Sequence, residues 1–207
     1  MSRIAATALA AVIALGAATS ARAGANILPA HHVAIIWSGS AGQLPPGNSW
    51  IPGSTASNEL APVSSTPQPE GSQWDANSYW WDANDYGAAT WSVYLDAPYT
   101  LNHFIVQADN NDSYELQYWT GSAWADAWDI PAVSGWGLMT RDSGIVAPIT
   151  TNALQIIATG GDGYYAVSQI EAFTAAPEAS TWVMMAAGFA GLGLAGLRAS
   201  RKRAALG

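Results

Sequence analysis

From Trp74 onward the chain is written in short segments in which apolar and polar residues alternate. Residues 91–95, 102–108, 114–119, 123–130, 153–158 and 166–173 carry the two-residue period of half-buried strands. Between them lie stretches of turn chemistry: Asp96-Ala97-Pro98-Tyr99, Asp109-Asn110-Asn111-Asp112, Thr120-Gly121, Gly135-Trp136-Gly137 and Gly160-Gly161-Asp162-Gly163. Outside the two termini no stripe of helical period reaches ten residues. The pattern predicts an all-β sandwich or barrel over residues 74–175. Ahead of it, residues 24–73 read as an extended approach. A short strand at 33–37 leads into a stretch punctuated by Leu44-Pro45-Pro46-Gly47 and Thr66-Pro67-Gln68-Pro69. A small duplication opens the domain: Trp74-Asp75-Ala76-Asn77-Ser78-Tyr79 is repeated as Trp81-Asp82-Ala83-Asn84-Asp85-Tyr86. Two copies are too few for a solenoid, so this reads as a duplicated loop.

The two termini are hydrophobic in a different way. Arg3 precedes an apolar run over 4–18, and Ala21-Arg22-Ala23 supplies small residues for cleavage between Ala23 and Gly24. Residues 1–23 thus read as a secretory signal peptide. At the other end, residues 181–197 contain no charge and are closed by Arg198, Arg201, Lys202 and Arg203. Seventeen apolar residues sit at the short end of what spans a bilayer, and the basic cluster marks the cytoplasmic side. The order Pro177-Glu178-Ala179, Ser180-Thr181-Trp182, apolar helix and terminal bases resembles a PEP-CTERM sorting tail over residues 176–203. That resemblance implies recognition by an exosortase-type membrane protease at Pro177, Glu178 and Ala179. It also implies a Gram-negative host that makes exopolysaccharide, with residues 24–176 exported and destined for the cell surface or matrix.

Charge sharpens the picture. Arg141 is the one Lys or Arg between residues 24 and 176, against fourteen Asp and Glu. Nucleic acids and anionic lipid surfaces need clustered cations, so both are excluded as partners of this region. Neutral glycans, divalent cations and matrix polymers remain. There is no cysteine, which rules out thiolate chemistry and leaves stability to the core or to a metal.

Residues 81–173 also resemble discoidin, or coagulation-factor type C, domains. The likeness rests on Trp91-Ser92-Val93-Tyr94-Leu95-Asp96, Tyr114-Glu115-Leu116-Gln117-Tyr118, Gly121-Ser122-Ala123-Trp124 and Val167-Ser168-Gln169-Ile170-Glu171. It implies a galactose-binding-like jelly-roll β-sandwich that binds a sugar or a surface through loops at one end, without catalysis.

Three groups of residues are candidates for chemistry. Asp109, Asn110 and Asp112 offer hard oxygens for calcium, although such a loop is also ordinary turn chemistry. Ten of the eleven tryptophans fall before the tail, and sugars stack on exposed rings. Trp91, Trp119 and Trp124 lie in strand candidates and read as core. Trp80, Trp81, Trp136 and Tyr164 lie in turn-like surroundings and are the candidate glycan platform. Arg141 reads as the structural partner of a carboxylate, or as a donor to a sugar hydroxyl. No nucleophile elbow or metal-spaced histidine set accompanies them, so catalysis is not expected. The expected function is carbohydrate or matrix binding. The alternative is an acidic structural surface or biofilm protein with no specific small ligand.

Overall fold

The computed structural model describes residues 24–42, 57–64 and 66–175, with Met185, Gly188 and Phe189. The expected leader and nearly all of the expected sorting tail, Pro177, Glu178 and Ala179 included, lie outside the described residues. No helix among the described residues is long and apolar enough to cross a membrane. Residues Ala23–Ala175 form one compact unit.

That unit is all-β and antiparallel. Its strands are β1 (His32–Ser38), β2 (Tyr79–Asp82), β3 (Thr90–Asp109), β4 (Ser113–Trp119), β5 (Trp124–Ile130), β6 (Leu138–Gly160) and β7 (Tyr164–Thr174). The sequence candidates at 91–95 and 102–108 are two halves of one strand, and the candidate at 153–158 is the second half of another. The pattern did not signal β2 or residues 138–149. The latter carry Arg141, Asp142 and Gly144, which break the alternation.

The pairing explains how these strands enclose a core. β3 and β6 pair along almost their whole length, from Thr90 opposite Ile157 to Asp109 opposite Leu138. Yet Gly160, at the far end of β6, pairs with Ser113, only four residues after Asp109. The β3–β6 ribbon must therefore fold back on itself, and its register breaks between Tyr94 and Tyr99 and around His103. One layer is β1, the first half of β3, the second half of β6, β4 and β5. The other is the first half of β6, the second half of β3, β7 and β2. Strands that switch layers at bends are how a jelly-roll sandwich closes. Trp91, Val93, Leu116 and Ile156 from one layer pack with Phe104, Val106, Ile170 and Ala172 from the other in a single cluster. Trp91, Val93 and Phe104 have no exposed surface.

Two expectations are corrected here. The described parts of residues 24–73 belong to the domain. Ile27 and Leu28 are buried with Val63 in the main cluster, β1 pairs with β3, and Gln68 is bound at both its N–H and its C=O by the Gln107 side chain. Proline spacing signalled an extended backbone, and here that backbone is packed against strands. Trp119 and Trp124, expected in the core, pair across β4 and β5 as half-buried residues, their rings 5.5 Å apart and edge to face. They stand on the outward side, since Leu116 and Tyr118 take the inward positions of β4.

Candidate functional site

The folded-back ribbon brings three connections to the same end of the sandwich: 109–113 between β3 and β4, 131–137 between β5 and β6, and 160–164 between β6 and β7. The loops hold one another. Asn110 receives the Val133 N–H at its carbonyl (2.8 Å), and its side-chain amide donates to Gly135 O at 3.2 Å. Asn111 Nδ2 donates to Asp162 Oδ2 at 2.8 Å, and Asn84 Nδ2 donates to Asp162 O at 3.1 Å. Gly161 and Gly163 keep positive φ, and a Cβ at either would overlap Asp112 or Asn84. The glycines are what let these loops approach so closely.

Between the loops lies a cleft of about 280 Å³, near the lower end of ligand-binding clefts. Its aromatic lining is Trp136, Tyr164 and Trp74, and its polar lining is Asp109, Asn110, Asn111 and Asp162. Trp136 is 63 % exposed. The flanking Gly135 and Gly137 both have positive φ, and a Cβ on Gly137 would strike the carbonyl of Ser72. The backbone here is pinned to the 69–72 segment, since Leu138 N donates to Ser72 O and Gly71 N donates to Leu138 O. Trp136 therefore stands out from a tightly held turn with its side chain largely exposed. Trp74 is half-buried and meets Trp80 edge to face at 5.1 Å.

Trp136, Tyr164, Asp109 and Asn110 of the expected residues thus share one cleft. Trp80 and Trp81 do not present their rings to it. Both are strand residues of β2, hydrogen-bonded in register to Ala166 and Tyr165 of β7. They are 3 % and 2 % exposed, so the turn-aromatic expectation is corrected for both. Trp74 was not expected in the site. No local pattern marks it, since its half-buried place follows from packing beside Trp80, Leu138 and Ala166.

Arg141 is also corrected. It reaches neither a carboxylate nor the cleft, and it is 5 % exposed. Its guanidinium donates to the carbonyls of Ala108 (2.6 Å), Asp109 (2.6 Å), Asn110 (3.1 Å) and Asp112 (3.4 Å). Further bonds run to Met139 and Pro131. Arg141, the one Lys or Arg between residues 24 and 176, is the clamp that shapes the 109–112 turn.

That clamp bears on calcium. Arg141 occupies the turn's carbonyls and places a cation beneath them. Asp112 faces inward with no exposed surface, its Oδ1 accepting from Asp162 N (3.3 Å) and its Oδ2 lying 3.2 Å from Tyr114 OH. Burial, with the carboxylates of Asp109 and Asp162 adding to it, pushes Asp112 up to about 8. Both Asp112 oxygens are thus committed within the fold rather than turned to the cleft. No group of three or more His, Cys, Asp and Glu suited to a metal ion occurs among the described residues. Of the expected calcium ligands Asp109, Asn110 and Asp112, the first two line the cleft and Asp112 is sealed beneath it.

Asp109 differs from Asp112. Burial lifts its carboxyl to about 6, with Asp162 adding to the rise and Arg141 opposing it. It is 6 % exposed, and its small open surface faces the cleft.

No protein-family model matches the chain, and no curated protein matches it. Solved structures similar to it include the family 32 carbohydrate-binding module of Clostridium perfringens NanJ, determined with galactose. The identity is 11 % and the TM-score 0.46, covering 67 % of this chain and 93 % of that one. The family 32 module of Streptococcus pneumoniae EndoD gives 10 %, TM-score 0.47, and coverage of 72 % and 99 %. An F5/8 type C domain from Bacteroides fragilis gives 19 %, TM-score 0.42, and coverage of 68 % and 93 %. At these identities and TM-scores the likenesses assign this chain neither a ligand nor a site residue.

Proposed function

We propose that the chain is an exported, non-catalytic carbohydrate-binding protein of the cell surface or exopolysaccharide matrix, sorted by an exosortase-type membrane protease. One observation carries the binding half: an exposed Trp136, held by glycines on a pinned turn, borders a cleft lined besides by the side chains of Trp74, Tyr164, two asparagines and two aspartates. A ring for the C–H face of a sugar beside oriented hydrogen-bonding groups is what a pyranose requires. The sorting half rests on the ordered signals at the two ends of the sequence.

A glycan array with the full-length protein tests the first half. Trp136→Ala is expected to cost about 1–3 kcal/mol of binding to whichever glycan the native chain takes. Unchanged affinity would move the site elsewhere. Failure to bind any glycan favours the other reading, an acidic surface protein whose fourteen carboxylic residues serve hydration. Intact-mass measurement in a host with an exosortase tests the second half. The surface-located protein is expected to end near Pro177, whereas retention of Arg203 would leave a plain membrane anchor.

A further inference from the structure

The polar lining of the cleft is not neutral. Asp109 and Asp162 both line it, while the nearby cation, Arg141, is turned away with its donors spent on backbone carbonyls. The carboxylates are used differently. Asp162 is exposed, its Oδ1 accepting from Tyr164 N (2.9 Å) and its Oδ2 from Asn111 Nδ2 (2.8 Å). Asp109 is 6 % exposed; its Oδ1 accepts from Asn110 N (2.8 Å), and its Oδ2 accepts no hydrogen bond from any described residue. The carboxyl is nearly enclosed, and the acceptor it leaves for the cleft is one that water or a ligand's donor must meet.

The neighbouring groups define that donor. A neutral hydroxyl would satisfy one lone pair but leave two carboxylates repelling each other. An ammonium would answer both charges, and beside an indole it also gains from the ring face. Resting on the glycan-binding reading of the same cleft, we infer that the site recognises a saccharide carrying a free amino group, with its ammonium between Asp109 and Asp162 near Trp136. Uronate, sulfated and pyruvylated sugars would meet two carboxylates with no cation to receive them, so they are rejected. The raised position of Asp109 fits this, since an arriving cation would draw its carboxyl back toward the ionised form.

Calorimetry with the full-length protein at pH 7 separates the possibilities, using tetramers of glucosamine, N-acetylglucosamine and galacturonic acid. The glucosamine tetramer is expected to bind roughly five- to tenfold more tightly than its acetylated counterpart, the size of one partly desolvated ion pair. The preference should shrink as salt rises. Asp109→Asn should bring the ratio of the two affinities near one. Asp162→Asn, at an exposed position that tolerates the change, should at least halve it if the buried variant folds poorly. Equal binding of amine and acetamide, or tighter binding of the galacturonate, overturns the inference while leaving glycan binding intact. Binding of none of the three, with a blank glycan array, removes both.

Discussion

Trp81 and Trp136 look alike in the sequence, each beside turn-forming residues and outside a clear alternating run. One is 2 % exposed and the other 63 %. Trp81 pairs with Tyr165 across β2 and β7, and its ring packs against Tyr79, Tyr114 and Tyr165. Trp136 lies on a turn between Ser72 and Asn110, where the turn is held by backbone groups and the side chain is left largely exposed. Burial followed from the strand that came alongside, not from the local residues. The contrast separates tryptophans that hold this domain together from the one that faces solvent at its cleft.

The largest effect should come from breaking the buried member. Trp81→Ala removes a fully enclosed ring and is expected to cost about 3–5 kcal/mol of stability, read as a lower urea midpoint. A loss below about 1 kcal/mol would mean that the pairing of β2 with β7 does not hold in solution.

Arg141→Met tests the clamp beneath the cleft. It strips the carbonyls of Ala108, Asp109, Asn110 and Asp112 of their shared donor, and unpaired buried acceptors cost about 1–3 kcal/mol. Urea unfolding should show a loss of that size, and glycan affinity should fall although Arg141 touches no ligand. Retained affinity with lowered stability would show that the clamp supports the fold without shaping the site.

Asp112 sharpens the comparison through pH. Its folded carboxyl, raised to about 8, holds a proton that the unfolded chain releases near pH 4. Between those values the native state binds the extra proton, so this group's contribution to stability is full below about pH 4 and is lost as pH rises to 8. Tyr114 OH is shared between Asp112 Oδ2 and Ala166 O (3.1 Å). A neutral Asp112 resolves that conflict by donating to the phenol, and the amide of an asparagine would do the same. Asp112→Asn should therefore match the native protein near pH 4 and exceed it increasingly as pH rises toward 8. A native advantage at pH 8 would show an ionised, paired Asp112. The smallest effect is at the exposed member: Trp136→Ala should leave unfolding within about 0.5 kcal/mol of native. A loss of several kcal/mol would place that ring in the core and end the contrast.

Much of the fold was legible because alternation is enforced wherever one side of a strand faces a core. Residues 114–119, 123–130 and 166–173 each turned up as strands within a residue or two at either end. β2 was hidden because all four of its residues, Tyr79 to Asp82, are buried, so it has no polar phase to alternate with. The site was half legible. Gly135-Trp136-Gly137 announced an exposed ring because glycine leaves no neighbours to cover it. Asp109 and Asp112 could not be told apart, since only two residues of turn separate a carboxyl opening on the cleft from one sealed beneath it.

By itself the sequence determined the class of the domain and its acidity, and it set the expectation of signals at the two ends. These follow from local period, charge count and residue order, none of which needs a partner from elsewhere in the chain. The fold-back of the β3–β6 ribbon, the meeting of Trp136 with Asp109 and Asp162, and the inward turn of Arg141 were decided by tertiary structure alone. Each depends on which strand or loop lies opposite, across separations of about 25 to 50 residues that no local pattern records.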